Sequence, residues 1–234
     1  MRAIVVATFV AAVLWAGYWF VGSRVIEAQA TRWFAAPHGE LTVSQGGIAL
    51  RGFPNRFDLT VTEPAVALPE RGWGWSAPFA QAFMMTWKPW HIIAALPQEQ
   101  TVDTPLGRFT LTSGQFEGSL VLVPGTALSL DRSVISVDTP SLRNAEGWAI
   151  SATKATGATR LTPDDPKAHE IGLEVTTLTP PADFRMALAG RSNLPEIIDR
   201  LHLDAIATLT APIDRHLLQA EPRLSTLRLK EGVL

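Results

Sequence analysis

The sequence predicts a mainly β protein: an N-terminal transmembrane helix followed by an elongated, curved antiparallel sheet with one or two short helices. Three observations carry this. Ala3 to Val21 holds no charged residue. From Gly39 onward apolar and polar residues alternate with period two, the pattern of strands with one buried and one wet face. Helical spacing beyond the first segment is sparse.

The first segment reads AIVVATFVAAVLWAGYWFV, 19 residues. At about 1.5 Å per residue such a helix is about 28 Å long, close to the ~30 Å hydrocarbon core of a bilayer. Tyr18, Trp19 and Phe20 cluster at its C-terminal end, where aromatic side chains meet headgroups, and are the expected membrane-interface residues. Arg2 and Arg24 flank the run, so charge bias is a poor guide to orientation. The rival reading is a cleaved signal peptide, because Ala28-Gln29-Ala30 has the small-x-small form of a cleavage site. The apolar run is longer than the usual ~7–15-residue core of a signal peptide. Arg24 and Glu27 also separate it from the Ala-Gln-Ala, so an anchor is the better reading. Either way the rest of the chain leaves the cytoplasm of a bacterial-type cell. The expected organisation is residues 1–28 as anchor and flank, 29–38 as stalk or continued helix, and 39–234 as a β-rich periplasmic domain. The expected location is the inner membrane, crossed once.

The strands follow in order. Leu41 and Val43 alternate with Thr42 and Ser44, Gly46-Gly47 signals a turn, and Ile48 and Leu50 resume. Gly52-Phe53-Pro54-Asn55 has the composition of a turn or bulge, since Pro54 cannot donate to a ladder. Phe57, Leu59 and Val61 then share one face, and Arg56, Asp58, Thr60 and Thr62 the other. Arg108-Phe109-Thr110-Leu111-Thr112 echoes Arg56-Phe57-Asp58-Leu59-Thr60, too briefly to establish a repeat. Leu120 to Val123, Pro124-Gly125 and Ala127 to Leu130 read as a hairpin, followed by strands at Val134 to Val137, Trp148 to Thr159 and Ile171 to Leu178. Thr162 to Lys167 is a loop. Phe79, Phe83 and Trp87 fit one face of a helix or of a strand, so periodicity leaves Pro78 to Trp87 open. Pro195, after Ser192 or Asn193 as a cap, predicts a short helix through Leu201. Leu224 to Lys230 reads as a strand with a turn at Glu231-Gly232, which leaves Leu229 on an exposed edge prone to self-association.

The net charge is −2 and no Lys/Arg cluster tracks a face, which argues against nucleic acid and leaves membrane lipid as the expected partner. There is no cysteine, so disulfides, zinc–thiolate sites and thiol nucleophiles are excluded. No cofactor or metal is expected. His169-Glu170 opens like a zinc-protease helix, but Leu173 stands where the second histidine is required. Neither a Gly-x-Ser-x-Gly nor a phosphate-binding glycine loop occurs. Asp164-Asp165 reads as a solvated turn in preference to a cation site. Trp73, Trp75, Trp87 and Trp90 read as core packing in preference to a ligand pocket.

Three stretches carry a resemblance: the Gly52-Phe53-Pro54-x-x-Phe57-x-Leu59 turn and strand, Trp75 to Phe109, and Leu194 to His216. Together they resemble an alphaproteobacterial family described as domain of unknown function 2125. That resemblance implies a membrane-anchored envelope protein and brings no catalytic residues. The β-rich pattern is also similar, at the level of fold alone, to AsmA-like proteins, which implies lipid handling. Members of the family continue past "LSTLRLKEGVL" into further strands, so the domain is expected to be incomplete at its C-terminal end. The function expected is that of a membrane-anchored, non-enzymatic envelope protein serving lipid handling or envelope assembly. The alternative is an envelope hydrolase without a recognisable motif. A continuous apolar groove favours the first; a histidine within reach of a serine or aspartate in a polar cleft favours the second.

Overall fold

The computed structural model describes residues 1–181, 183, 195–216 and 222–233. Helix α1 (Arg2–Ala35) is continuous, so of the two expectations after residue 28, stalk or continued helix, it takes the second as far as Ala35. The strands that follow come in bent pairs. β1 (Thr42–Ser44) leads into β2 (Gly47–Arg51), β3 (Arg56–Thr62) into β4 (Ala65–Leu68), and β5 (Trp73–Ser76) into β6 (Phe79–Met85). Likewise β7 (Lys88–Leu96) leads into β8 (Glu99–Thr104), β9 (Gly107–Thr112) into β10 (Gln115–Leu122), β11 (Leu130–Asp138) into β12 (Ser141–Asn144), and β13 (Ala149–Ser151) into β14 (Lys154–Thr162). Each pair is separated by two residues. One member of every pair lies in a seven-stranded sheet, ordered β1-β4-β5-β8-β9-β12-β13. The other lies in a ten-stranded sheet, β2-β3-β6-β7-β10-β11-β14, which β15 (Asp165–Leu178), β16 (Ile198–Leu209) and β17 (Leu224–Val233) extend.

The bends have a local cause. Proline or glycine occupies the breaks at Gly46, Pro64, Pro78, Pro97, Gly114 and Pro140; Ala152-Thr153 has neither. Proline cannot donate to a ladder, so regular pairing stops there. The backbone still pairs along the seam: Glu63 donates to the Pro78 carbonyl (2.9 Å), Ala77 to Pro64 (3.2 Å) and Ala152 to Pro140 (3.0 Å). Gln100, 2% exposed, is held there, donating to the Pro97 carbonyl while its Oε1 accepts from the Trp75 indole (2.8 Å).

The chain is thus mainly β and antiparallel with one long apolar N-terminal helix, as expected, but in two sheets where one was expected. Gly46-Gly47 is a bend between sheets and not a hairpin, since β1 pairs β4 and β2 pairs β3. Pro78 to Trp87 resolves to strand β6 and a turn. The helix expected from Pro195 through Leu201 is overturned: Ile198–Leu209 is a strand paired with β15. The period-two apolar series Leu201, Leu203, Ala205, Ala207 outweighs the proline signal, and Ser192 and Asn193 lie outside the described residues. One short helical piece among the described residues is a 3-10 turn, Pro69–Arg71, closed by Gly72 at φ 67°. No turn interrupts Glu231-Gly232. Instead β17 runs on to Val233, with a bulge where Asp204 faces Glu231 and Ala205 faces Leu229.

Candidate functional site

Directly paired residues in a sheet share a face, so the register defines a surface. Leu59 pairs with Ala82, Ala82 with Ala94, Ala94 with Gly118, Gly118 with Ile135, Ile135 with Gly157, Gly157 with Leu173 and Leu173 with Leu203. A second row runs beside it from Phe57 and Met84 through Ile92 and Leu120, across Ser133 and Thr159, to Ile171, Ala205 and Leu229. One face of the ten-stranded sheet is therefore mostly apolar from β3 to β17, with Ser133, Thr159 and His169 set into it. The opposite face carries Arg56, Asp58, Arg160, Glu170 and Glu174, interspersed with Phe83, Ile93, Val121 and Val134.

At the β3 end the apolar face is covered by α1. Trp15, Tyr18, Trp19, Gly22 and Ile26 fall on one helical stripe, at i, i+3, i+4, i+7 and i+11. Trp19, Phe57 and Met84 form a buried cluster, with Ile26, Leu50 and Ile92 against it. The rings of Trp19 and Phe57 stack at 6.1 Å. Gly22 is required here, because a Cβ on it would lie 2.8 Å from Phe57 Cζ. The helix is also held by polar bonds. Trp15 Nε1 donates to the Pro54 carbonyl (3.0 Å), Tyr18 Oη to Thr86 (2.6 Å) and Trp19 Nε1 to Arg56 (2.7 Å). Of the three aromatic residues expected at a membrane interface, Tyr18 and Trp19 thus meet the β-domain, and Phe20 remains 59% exposed.

Beyond the helix exposure varies: Ile135 is 47% exposed, whereas Ala205 and Ala207 are buried. A groove of about 490 Å³ runs over β11, β14, β15 and β16, lined by Ile135, Ile171, Leu173, Leu203, Leu209 and Ile213 among others. His169 also lines it, is 3% exposed, and has no hydrogen-bond partner for either ring nitrogen. Burial without a partner disfavours the charged imidazolium, so its pKa is lowered below the ordinary 6.5.

The polar face holds two histidine arrangements. His91 Nε2 lies 3.0 Å from Ser119 Oγ. His202 lies between Glu174 (3.6 Å) and Asp204 (3.3 Å). Glu170 accepts from Lys230 (2.6 Å) and from Arg160, which together pull its carboxyl down to about 2. The four tryptophans do not gather. Trp73 and Trp75 belong to the seven-stranded sheet, while Trp87 and Trp90 sit at the turn end of β6 and β7. Asp165 turns its carboxylate back onto the Lys167 amide (2.9 Å), and among the described residues no cluster of three metal-ligating side chains occurs. An apolar face on each strand was legible in sequence, but a strand's alternation says nothing of its neighbours' register. The sheet-wide match between rows needs the pairing.

The arrangement is that of a β-sheet protein with a long apolar helix docked on its apolar face, the helix being compatible with a single-pass membrane anchor. The chain belongs to the family of uncharacterized proteins conserved in bacteria, DUF2125, whose pattern it matches over residues 19–232. No curated protein and no solved structure is similar enough to match.

Proposed function

We propose that the protein is a single-pass anchor of the bacterial inner membrane whose periplasmic β-domain binds lipid acyl chains without catalysing a reaction. The observation that supports this is the apolar sheet face itself. It begins beneath an apolar helix of bilayer-spanning length and continues into the groove between Ile135 and Leu209, which Ile213 also lines. An acyl chain entering the groove gains about 0.8 kcal/mol per buried CH₂, the same gain that any apolar cover would obtain. Lipid extracted with the detergent-solubilised protein tests the reading by mass spectrometry. Phospholipid or fatty acid is expected at near-stoichiometric yield from the native chain, and at a strongly reduced yield from Leu173→Asp. Equal yields would overturn it.

One observation favours the alternative of an envelope hydrolase: the His91–Ser119 hydrogen bond beside a cleft lined by Arg56, Phe83, Lys88 and Ile93. A serine nucleophile also needs free N–H groups for the developing oxyanion. Ser119 lies within β10, flanked on both sides by β7 and β11, whose ladders occupy its backbone. Loss of ester hydrolysis on Ser119→Ala would establish the hydrolase against the binding role.

A further inference from the structure

We propose that the two turns at the helix-bearing end of the ten-stranded sheet, residues 52–55 and 86–87, form a rim seated in the lipid headgroup layer; this rests on the reading of α1 as a membrane anchor. The argument begins with level. The indole of Trp15, the phenol of Tyr18 and the indole of Trp19 donate to the carbonyls of Pro54, Thr86 and Arg56. Those turns are therefore fixed beside residues 15–19 of the helix, and these lie inside the uncharged run that ends at Val21. From Ala3 to Trp15 the helix is only about 18 Å long, short of the ~30 Å hydrocarbon core. The run approaches the full thickness only when residues 15–21 are themselves drawn down to the bilayer boundary, and the turns bonded to residues 15–19 are drawn down with them.

The rim has the chemistry that this position demands. Phe53 is 54% exposed and Trp87 57% exposed, and Met85 beside them is exposed as well. Phe53 stacks one side on Phe20 at 5.7 Å and presents the rest outward. Aromatic rings at the headgroup level are the usual interfacial anchors. Backbone carbonyls near hydrocarbon are costly when unpaired. The three helix donors satisfy three of them, and Thr86 joins the turns by donating its N–H and Oγ1–H to the Asn55 carbonyl. Cations surround the turns: Arg56 is paired with Asp58, whereas Arg51 and Lys88 have no ion pair among the described residues. Both stand where lipid phosphates would meet them.

The chain has no cysteine, so single labelling sites can be introduced without competition. Val10→Cys, Phe53→Cys, Trp87→Cys and Leu106→Cys are each labelled with a polarity-sensitive fluorophore. The full chain is reconstituted in phosphatidylglycerol-containing vesicles with lipids spin-labelled either near the headgroup, to report on positions 53, 87 and 106, or deep in the acyl chain, to report on position 10. Leu106, 87% exposed in the turn between β8 and β9, is the distant control. Loss of emission is expected at positions 10, 53 and 87 and not at 106. Quenching at 10 but at neither 53 nor 87 overturns the rim and leaves the anchor standing. No quenching at 10 overturns the anchor, and the rim with it.

Discussion

The two ends of the apolar sheet face are built by the same alternation and meet opposite fates. At the β3 end Phe57 is 2% exposed beneath Trp19 and Gly22. At the β11 and β17 end Ile135 is 47% exposed and Leu229 61%. Period two decides which face a residue occupies; it does not decide whether that face is covered. Cover comes from a helix folded back over residues distant in sequence, and it reaches only part of the sheet. The difference separates a part of the face packed beneath the helix from a part whose Ile135 and Leu229 remain exposed.

The comparison breaks first at Phe57. Phe57→Ala should cost about 3–5 kcal/mol, as for a large side chain removed from a packed site, whereas Ile135→Ala should cost less than about 1 kcal/mol because its side chain is half in solvent already. Denaturant unfolding of the full chain in detergent measures both, and equal losses would mean the two ends do not differ. Gly22→Leu comes next. Its side chain meets the Phe57 ring, so the helix must lift or the ring must turn, at about 1–3 kcal/mol. Trp19 should then become accessible to a fluorescence quencher.

A pH effect distinguishes the open end. The folded His169 has its pKa lowered below 6.5, so the unfolded chain takes up the proton first as pH falls. Stability is therefore full above about 6.5 and declines below it. Thermal melts at pH 7.5 and 5.5 should show the decline in the native chain and not in His169→Leu. That replacement also removes two unpaired nitrogens and should raise stability at both values. At the far edge, Leu224, Leu227 and Leu229 are all exposed on β17, the outermost strand of the described sheet. Self-association through this edge is expected, and Leu229→Lys should reduce it in sedimentation analysis, because charge on an edge opposes pairing.

Much of this was legible in the residues. The existence of the first helix and the burial of Phe57 and Val61 follow directly from the uncharged run and the Phe57-Leu59-Val61 alternation, although the helix extends past that run to Ala35. The division into two sheets did not follow, although its punctuation is visible at Pro64, Pro78, Pro97 and Pro140. A lone proline between two strands reads equally as a loop or as a bend, and only the residues paired beside it tell them apart. The strand at Ile198 was hidden because Pro195 supplies a good helix start, and local signals give way where a long strand finds partners on both sides. Gly22 was invisible for another reason. A glycine in an apolar helix has no local role, and its use here is set by a ring 35 residues away in sequence.

The smallest expected effect lies on the polar face, at the strand that closes the sheet. Glu170 on β15 is held by Lys230 on β17 and by Arg160 on β14, one carboxylate joining three strands. Its pKa is depressed from 4.5 to about 2, first by the Lys230 and Arg160 hydrogen bonds and then by their charges. For a depressed carboxylate the contribution is fully present above the unfolded value and is lost as protons bind the folded form. The window therefore runs from about 4.5 down to about 2. All three groups are open to solvent, so screening keeps the contribution small, and added salt should reduce it further. Glu170→Gln removes the charge at every pH. The difference in melting temperature between Glu170→Gln and the native chain should thus be steady above pH 5 and shrink toward zero near pH 2. A difference that persists at pH 2 would mean that Glu170 acts through packing, and that only main-chain pairing holds β17 to the sheet.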